Sequence, residues 1–286
     1  MSIINTFNNT TIMKFLSKLF AVFFVLGAVS CETTDEPLPT EPFEDMVNVY
    51  SGPVGMESYK FDVYMLENPF VGFNNIYVDV YDSVSNIRVT DWELTYAPMM
   101  TMMTDMGSMM HTCPLEQPQH DTELSAYAGA AVFIMPTTEM GMWKFELKYE
   151  NTIASGSVSF PLTVVEKDNP AMVSFVSEAD EAVKYFVALI EPGTPDVGVN
   201  EFEVGIYVKE SMMSFPAIGS QTVVIEPEMP SMGHGSPDNV DPVDSGNGHY
   251  KGNVNFTMTG LWRVHMEIKN ADGQIVTTDS SFDIEF

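Results

Sequence analysis

Cysteine is nearly absent from this chain: Cys31 and Cys113 are the two in 286 residues. No paired cysteines exist to build a zinc cluster or a thiol redox centre. Basic residues are scarce too, with 12 Lys and Arg against 40 Asp and Glu. That balance excludes a reader of nucleic-acid phosphates, which depends on Lys and Arg. It favours solubility and attracts cations weakly. The sequence also lacks a Gly-x-Ser-x-Gly elbow, a His-Glu-x-x-His pair and a phosphate-cradling glycine loop. Carboxylates are too plentiful for one pair to stand out, so no enzyme is predicted. Long amphipathic helices are missing, which argues against α/β folds. The apolar run Leu19–Val29 falls short of the roughly 20 residues a spanning helix needs.

That run belongs to a different device. Lys14 and Lys18 precede it, and the small residues Ala28-Val29-Ser30 lead from it to Cys31. A charged start, a short apolar core and a small-residue exit mark a secretory signal. Its end resembles a bacterial lipobox, in which Cys31 would be acylated and become the first mature residue; Ala28 stands where leucine is usual. Residues 32–46, acidic and rich in proline, read as a disordered tether. Stable anchoring takes more than one acyl chain, which a lipidated amino-terminal cysteine supplies. The expected location is the bacterial cell envelope, lipid-anchored to the outer membrane, periplasmic or surface-exposed. The mature chain would carry 10 − 40 = −30 charges with histidine neutral. Cys113 would then be its lone thiol, with no intrachain disulfide.

What is abundant is methionine, 22 residues, and it marks an internal duplication. Asp105–Pro114 aligns with Glu228–Pro237 at an offset of 234 − 111 = 123 residues. Identities include Met106/Met229, Met109/Met232, His111/His234, Tyr127/Tyr250, Phe133/Phe256 and Met135/Met258. Beyond a four-residue length difference, Trp143 aligns with Trp262. Alternation is sharp around both tryptophans: Trp143, Phe145, Leu147 and Tyr149 share one face and Lys144, Glu146 and Lys148 the other. Short strands bounded by turn residues predict an all-β chain of two tandem immunoglobulin-like or cupredoxin-like antiparallel β-sandwiches. Expected bounds are signal 1–31, tether 32–46, first sandwich 47–166, linker 167–181 and second sandwich 182–286. Strands are expected at Arg88–Tyr96, Tyr127–Met135, Gln221–Ile225 and Tyr250–Met258, among others.

The segments ahead of the Tyr127 and Tyr250 strands hold the candidate chemistry. Their glycines, prolines and serines predict loops, where binding residues commonly sit. Met109 and His111 are two apart, as are Met232 and His234, so extended backbone projects each pair to one side. Thioether with imidazole favours Cu(I) over zinc, calcium or magnesium. Met106 and Met229 are candidate third ligands, and Met135 and Met258 candidate fourth ligands. The last two also alternate in phase with core aromatics and read first as core. Cys113 has Ser236 as its counterpart, so a shared site does not require it; His120 and His249 have no counterparts. The loop methionines equally suit a plug at the sandwich end.

The run Met229 to His234, then Tyr250 to Met258 and Gly260 to Trp262, resembles the YtkA-like or FixH-like domains of bacterial envelope proteins. A less typical version runs from Met106 to Trp143, with Gly107 in place of proline. The resemblance implies an immunoglobulin-like or cupredoxin-like sandwich and, by context, copper handling or oxidase assembly. Two functions remain open: a lipoprotein that buffers, delivers or senses Cu(I), passing it to a protein partner, or a non-catalytic structural or adhesive lipoprotein whose methionine-rich loops bind another macromolecule.

Overall fold

A computed structural model describes residues 43–54, 58–105, 107–152 and 154–286, with Glu41–Phe286 as one compact unit. The expected signal, Cys31, Met106 and most of the expected tether lie outside the described residues. Every regular element among the described residues is a strand.

The first sandwich runs β1 (Val47–Val54), β2 (Tyr59–Met65), β3 (Gly72–Asp82), β4 (Glu93–Tyr96), β5 (Met99–Thr104), β6 (Gly107–His111), β7 (Leu115–Asp121), β8 (Ala126–Phe133), β9 (Gly141–Glu150) and β10 (Ser155–Leu162). One sheet has the order β1-β2-β3-β8-β7. The facing sheet is β10-β9-β5-β6, with β4 also on β9. The second sandwich runs β11 (Met172–Val176), β12 (Lys184–Glu191), β13 (Gly198–Lys209), β14 (Thr222–Met229), β15 (His234–Gly235), β16 (Val240–Gly246), β17 (His249–Phe256), β18 (Leu261–Lys269) and β19 (Ile275–Glu285). Its sheets, β11-β12-β13-β17-β16 and β15-β14-β18-β19, repeat the first pair strand for strand, with β14 standing for β4 and β5 together. The all-β, tandem-sandwich expectation is the observed fold.

Each core is built by the alternation the sequence displays. Trp143 packs edge-on to Phe133 at 5.1 Å, and Trp262 lies against Phe256 at 5.5 Å. Tyr127 accepts a hydrogen bond from the Trp92 N–H at 2.8 Å. Tyr250 accepts one from the Gln221 N–H at 3.0 Å. These matched ties fix the same strand-to-strand corner in both copies.

Several sequence expectations change. The strand expected over Arg88–Tyr96 narrows to β4, because Arg88 turns to Asp79 at 3.0 Å and only bridges Tyr81. Strands β8 and β17 stop at Phe133 and Phe256, before Met135 and Met258. The span 167–181 carries β11, which pairs with β12 from Met172 to Val176. Phe43, near the end of the span read as tether, is buried and stacks on Tyr64 at 4.7 Å. The edge strands β7 and β16 lacked a sequence signal because Pro118 and Pro242 sit at their register shifts. Proline is tolerated at such edges and irregularities.

The two sandwiches pack on each other. Phe73 and Val132 of the first form an apolar cluster with Phe186, Tyr207 and Phe215 of the second. His249 reaches across this seam, with Nε2 on Glu116 of the first copy and Nδ1 on Glu203 of the second at 2.5 Å. Nearby, the Thr112 N–H donates to the Met212 carbonyl at 3.0 Å.

Candidate metal centre

The methionine-rich segment of the first copy is a β-hairpin, not the loop its glycine and serine content suggested. β5 pairs with β6 in the register Met100↔His111, Thr101↔Met110, Met102↔Met109 and Thr104↔Gly107. Backbone pairing along β9 extends the sheet, so neighbouring strands stabilise a run of weak strand formers. Successive residues face opposite sides. Met100, Met102, Met109 and His111 therefore share the inner face, while Met99, Thr101, Met103 and Met110 share the outer.

His111 is only 3% exposed. Its Nδ1–H donates to the Thr112 carbonyl at 2.8 Å, so in the neutral tautomer Nε2 carries the lone pair. That atom is buried with no hydrogen-bond partner. Leaving a buried polar atom unpaired costs about 1–3 kcal/mol, a cost that a ligand on this atom would offset. The ring stands edge-on to Trp143 at 5.5 Å, and the Trp143 Nε1–H donates to the Met135 carbonyl at 2.8 Å. An indole thus fixes both the imidazole and the Met135 backbone.

His111, Met102, Met109 and Met135 line a cavity of about 170 Å³, with Met212 and Lys209 of the second sandwich on its other side. Of the first-copy candidates, Met109, His111 and Met135 are brought together. Met102 and Met212 had not been singled out. Met102 could have been found from strand pairing with Met109. Met212 follows β13 by three residues and reaches the cavity only through the packing of the two sandwiches.

The donor chemistry tests what such a site fits. Thioethers and a neutral imidazole suit a soft, low-charge ion. Hard cations need oxygen ligands, and the cavity wall carries no carboxylate, whereas Lys184 and Lys209 lie on it. Among the described residues no group of three or more His, Cys, Asp or Glu is placed to hold a metal. A metal held here would have to use sulfur from methionine.

The second copy keeps the histidine frame and loses the sulfurs. His234 Nδ1–H donates to the Gly235 carbonyl at 2.9 Å, its ring stands 5.8 Å from Trp262, and Trp262 Nε1–H donates to the Met258 carbonyl at 2.9 Å. Met229 pairs with His234 as Met100 pairs with His111. The pairs span 234 − 229 = 5 and 111 − 100 = 11 residues, so the first hairpin is longer by six. The counterpart of Met229 is Met100, not Met106. Both belong to buried cores. Met232 sits in the turn and is 60% exposed; Met258 is 37% exposed. The groove at His234 is instead lined by Glu226, Glu228 and His265. Met229, Met232 and Met258 do not line that groove.

The other cysteine and histidines have other occupations. Burial pushes the Cys113 thiol far up and keeps it protonated. His120 packs against Tyr127 at 5.5 Å. His265 contacts Glu228 at 3.1 Å.

Residues 179–267, in the second copy, match the family model described as YtkA-like. No curated protein matches the chain. Among solved structures, the adhesin InvE of Yersinia pseudotuberculosis is 10% identical, with 82% of this chain and 61% of that chain covered and a TM-score of 0.25. Invasin, a bacterial integrin-binding protein, is 10% identical over 80% of this chain and 39% of that one, with a TM-score of 0.25. A chimeric titin Z1Z2 tandem is 11% identical over 76% of this chain and 91% of that one, with a TM-score of 0.19. The chain thus spans less than two thirds of the length of either adhesin.

Proposed function

We propose that the protein is an envelope lipoprotein that binds Cu(I) between its two sandwiches. The observation that carries this reading is the buried, unpartnered Nε2 of His111, a residue on the wall of a cavity that Met102, Met109, Met135 and Met212 also line. His111 would supply the imidazole, with Met109, Met135, Met102 and Met212 as the thioether candidates. Met109 is 42% exposed, so an ion held there would stay within reach of a partner, as delivery or sensing requires. Donation of Nδ1–H to a backbone carbonyl is how metal-bound histidines are commonly oriented. Both sandwiches descend, on this reading, from one YtkA-like unit, and the second has retained the frame without the sulfurs. Acylation at Cys31 would hold the protein on the outer membrane, and a partner protein would give or receive the metal.

The test is an anaerobic Cu(I) titration of residues 32–286, which include the compact unit, against a competing chelator. The comparison is a variant with Met109, His111, Met232 and His234 changed to alanine. Tight binding lost in the variant supports a copper site. Absent binding, or equal binding by both proteins, removes copper and leaves the methionine-rich hairpin as a surface for a macromolecular partner.

A further inference from the structure

We infer that the methionine-covered surface of the β5-β6 hairpin is a docking surface for an acidic protein segment carrying apolar side chains, with Lys144, Lys148, Lys184 and Lys209 receiving its carboxylates. The inference concerns the partner's chemistry and does not need the Cu(I) reading.

Strand register places the methionines. Thr101 pairs with Met110 on one side and with Met142 on the other, and Met99 pairs with Lys144. Cross-strand partners share a face, as do alternate residues along a strand. Met99, Met103, Met110 and Met142 therefore cover the outer face of this sheet. The Met103 N–H donates to the Met140 carbonyl at 2.7 Å, which brings Met140 beside the hairpin. Met213 of the second sandwich lines the same outer groove as Met99 and Met110. Met103, Met110, Met140, Met142 and Met213 are each at least half exposed. The corresponding face of the second copy is polar, with Glu226 and Glu228 on β14 and Arg263, His265 and Glu267 on β18. A solvated sheet face is ordinarily polar, and a contiguous apolar one marks an interaction surface. β6 is also the outer strand of its sheet and has no Lys, Arg, Asp, Glu or proline, the residues that commonly close an edge to partners.

Charge identifies what fits there. Among the described residues, Lys60, Arg88, Lys167, Lys251, Arg263 and Lys269 are each ion-paired with a carboxylate, and Lys144, Lys148, Lys184 and Lys209 are not. All four line the recesses on the two sides of β6. Lys144 and Lys148 line the outer groove with Met110 and Met213, and Lys184 and Lys209 the inner cavity with Met109 and Met212. Glu146 is the one carboxylate on either wall. Register keeps other acids away: Lys144 lies between Met99 and Pro161, and Lys148 between Thr95 and Ser157. Lys184 stands directly opposite Lys209, where like charges repel and an incoming carboxylate would relieve them. In a chain of net charge −28, the positive charge left without an internal partner is gathered around the exposed thioethers. That is charge complementarity to an acidic partner.

An anionic bilayer fits this surface poorly, because the 40 acidic side chains of the chain would be brought toward the same negative potential. A protein segment brings its carboxylates one at a time. Its apolar side chains meet flexible thioethers, which repack around different shapes.

The experiment uses metal-free residues 32–286 labelled with ¹³C at the methionine methyls. The probe is a pool of short peptides in which Glu or Asp alternates with Leu, Phe or Met. The expected result is binding that weakens with salt and shifts the Met103, Met110, Met142 and Met213 methyls, while Met232, an exposed methionine of the second copy, stays still. Lys144→Glu/Lys148→Glu/Lys184→Glu/Lys209→Glu should weaken binding by at least about tenfold, with unchanged signals from the buried Met65 and Met266 reporting an intact fold. If that variant does not fold, Lys144→Glu/Lys148→Glu, at two exposed positions of one strand, repeats the test. Absence of binding by the pool, shifts centred on Met232, or equal binding of peptides with Lys in place of Glu and Asp would overturn the inference. Binding to phosphatidylglycerol vesicles without binding to the peptides would overturn it in favour of a membrane. Methyl shifts produced by raising the protein concentration alone would overturn it in favour of a second copy. Each of these outcomes leaves Cu(I) binding, measured separately, where it stood.

Discussion

At the scale of single residues, the site rests on a tryptophan that does not line the cavity. Trp143 stands against the His111 ring and holds the Met135 carbonyl at 2.8 Å. Trp143→Phe removes that hydrogen bond while keeping an aromatic ring. The expected outcome is Cu(I) affinity weaker by about two- to tenfold, since an intramolecular hydrogen bond contributes about 0.5–1.5 kcal/mol and 1.4 kcal/mol is tenfold. Chelator competition measures it. Trp262→Phe makes the same change in the second copy and should leave affinity unaltered. Equal weakening in both variants would mean that the indoles act on the fold and not on the site.

At the scale of elements, the difference between the copies is the length of one hairpin. Residues 101–110 form its extension, and the second copy closes the same turn with Pro230-Ser231-Met232-Gly233. Replacing residues 101–110 by Pro-Ser-Met-Gly should leave the sandwich folded, because Met100, His111 and Trp143 stay in place. The unfolding midpoint should fall by no more than several degrees, consistent with a loss of about 1–2 kcal/mol. Cu(I) binding should disappear. Much of this architecture was legible in the sequence. The alternation around Trp143 and Trp262 gave the strands, and Tyr127 and Tyr250 marked the duplication. The gapless alignment misled at one point, because Met106 falls on Met229 by offset while the backbone register sets Met229 against Met100. Glycine and serine also suggested a loop where pairing with β9 imposes a strand. Met212 was beyond any local reading, since it enters the cavity through contacts between segments about a hundred residues apart.

At the scale of the whole molecule, the cavity exists only while the two sandwiches stay packed. His249 holds that seam, donating to Glu116 and Glu203 at once, which requires both ring nitrogens to be protonated. The hydrogen bond to Glu116, then that to Glu203, raises its pKa against the opposing effect of burial. Lys251 sits on the second oxygen of Glu203 at 2.8 Å, and Phe73 packs edge-on to the imidazole. A raised folded-state pKa gives stability that is full below the unfolded value, about 6.5, and lost as pH rises through the folded value. The denaturant midpoint should therefore fall as pH rises from 6 towards 9. His249→Gln should flatten that dependence, because glutamine cannot carry the charge. An unchanged slope in the variant would assign the pH dependence to other groups.

The central claim is that Cu(I) sits between the sandwiches on His111 and methionine sulfur. X-ray absorption at the copper edge of the Cu(I)-loaded protein tests it most directly. The wild-type spectrum should contain sulfur together with an imidazole nitrogen, and the imidazole contribution should vanish in His111→Ala while persisting in His234→Ala. A shell without sulfur, or an imidazole signal that is lost with His234 and kept without His111, would contradict it.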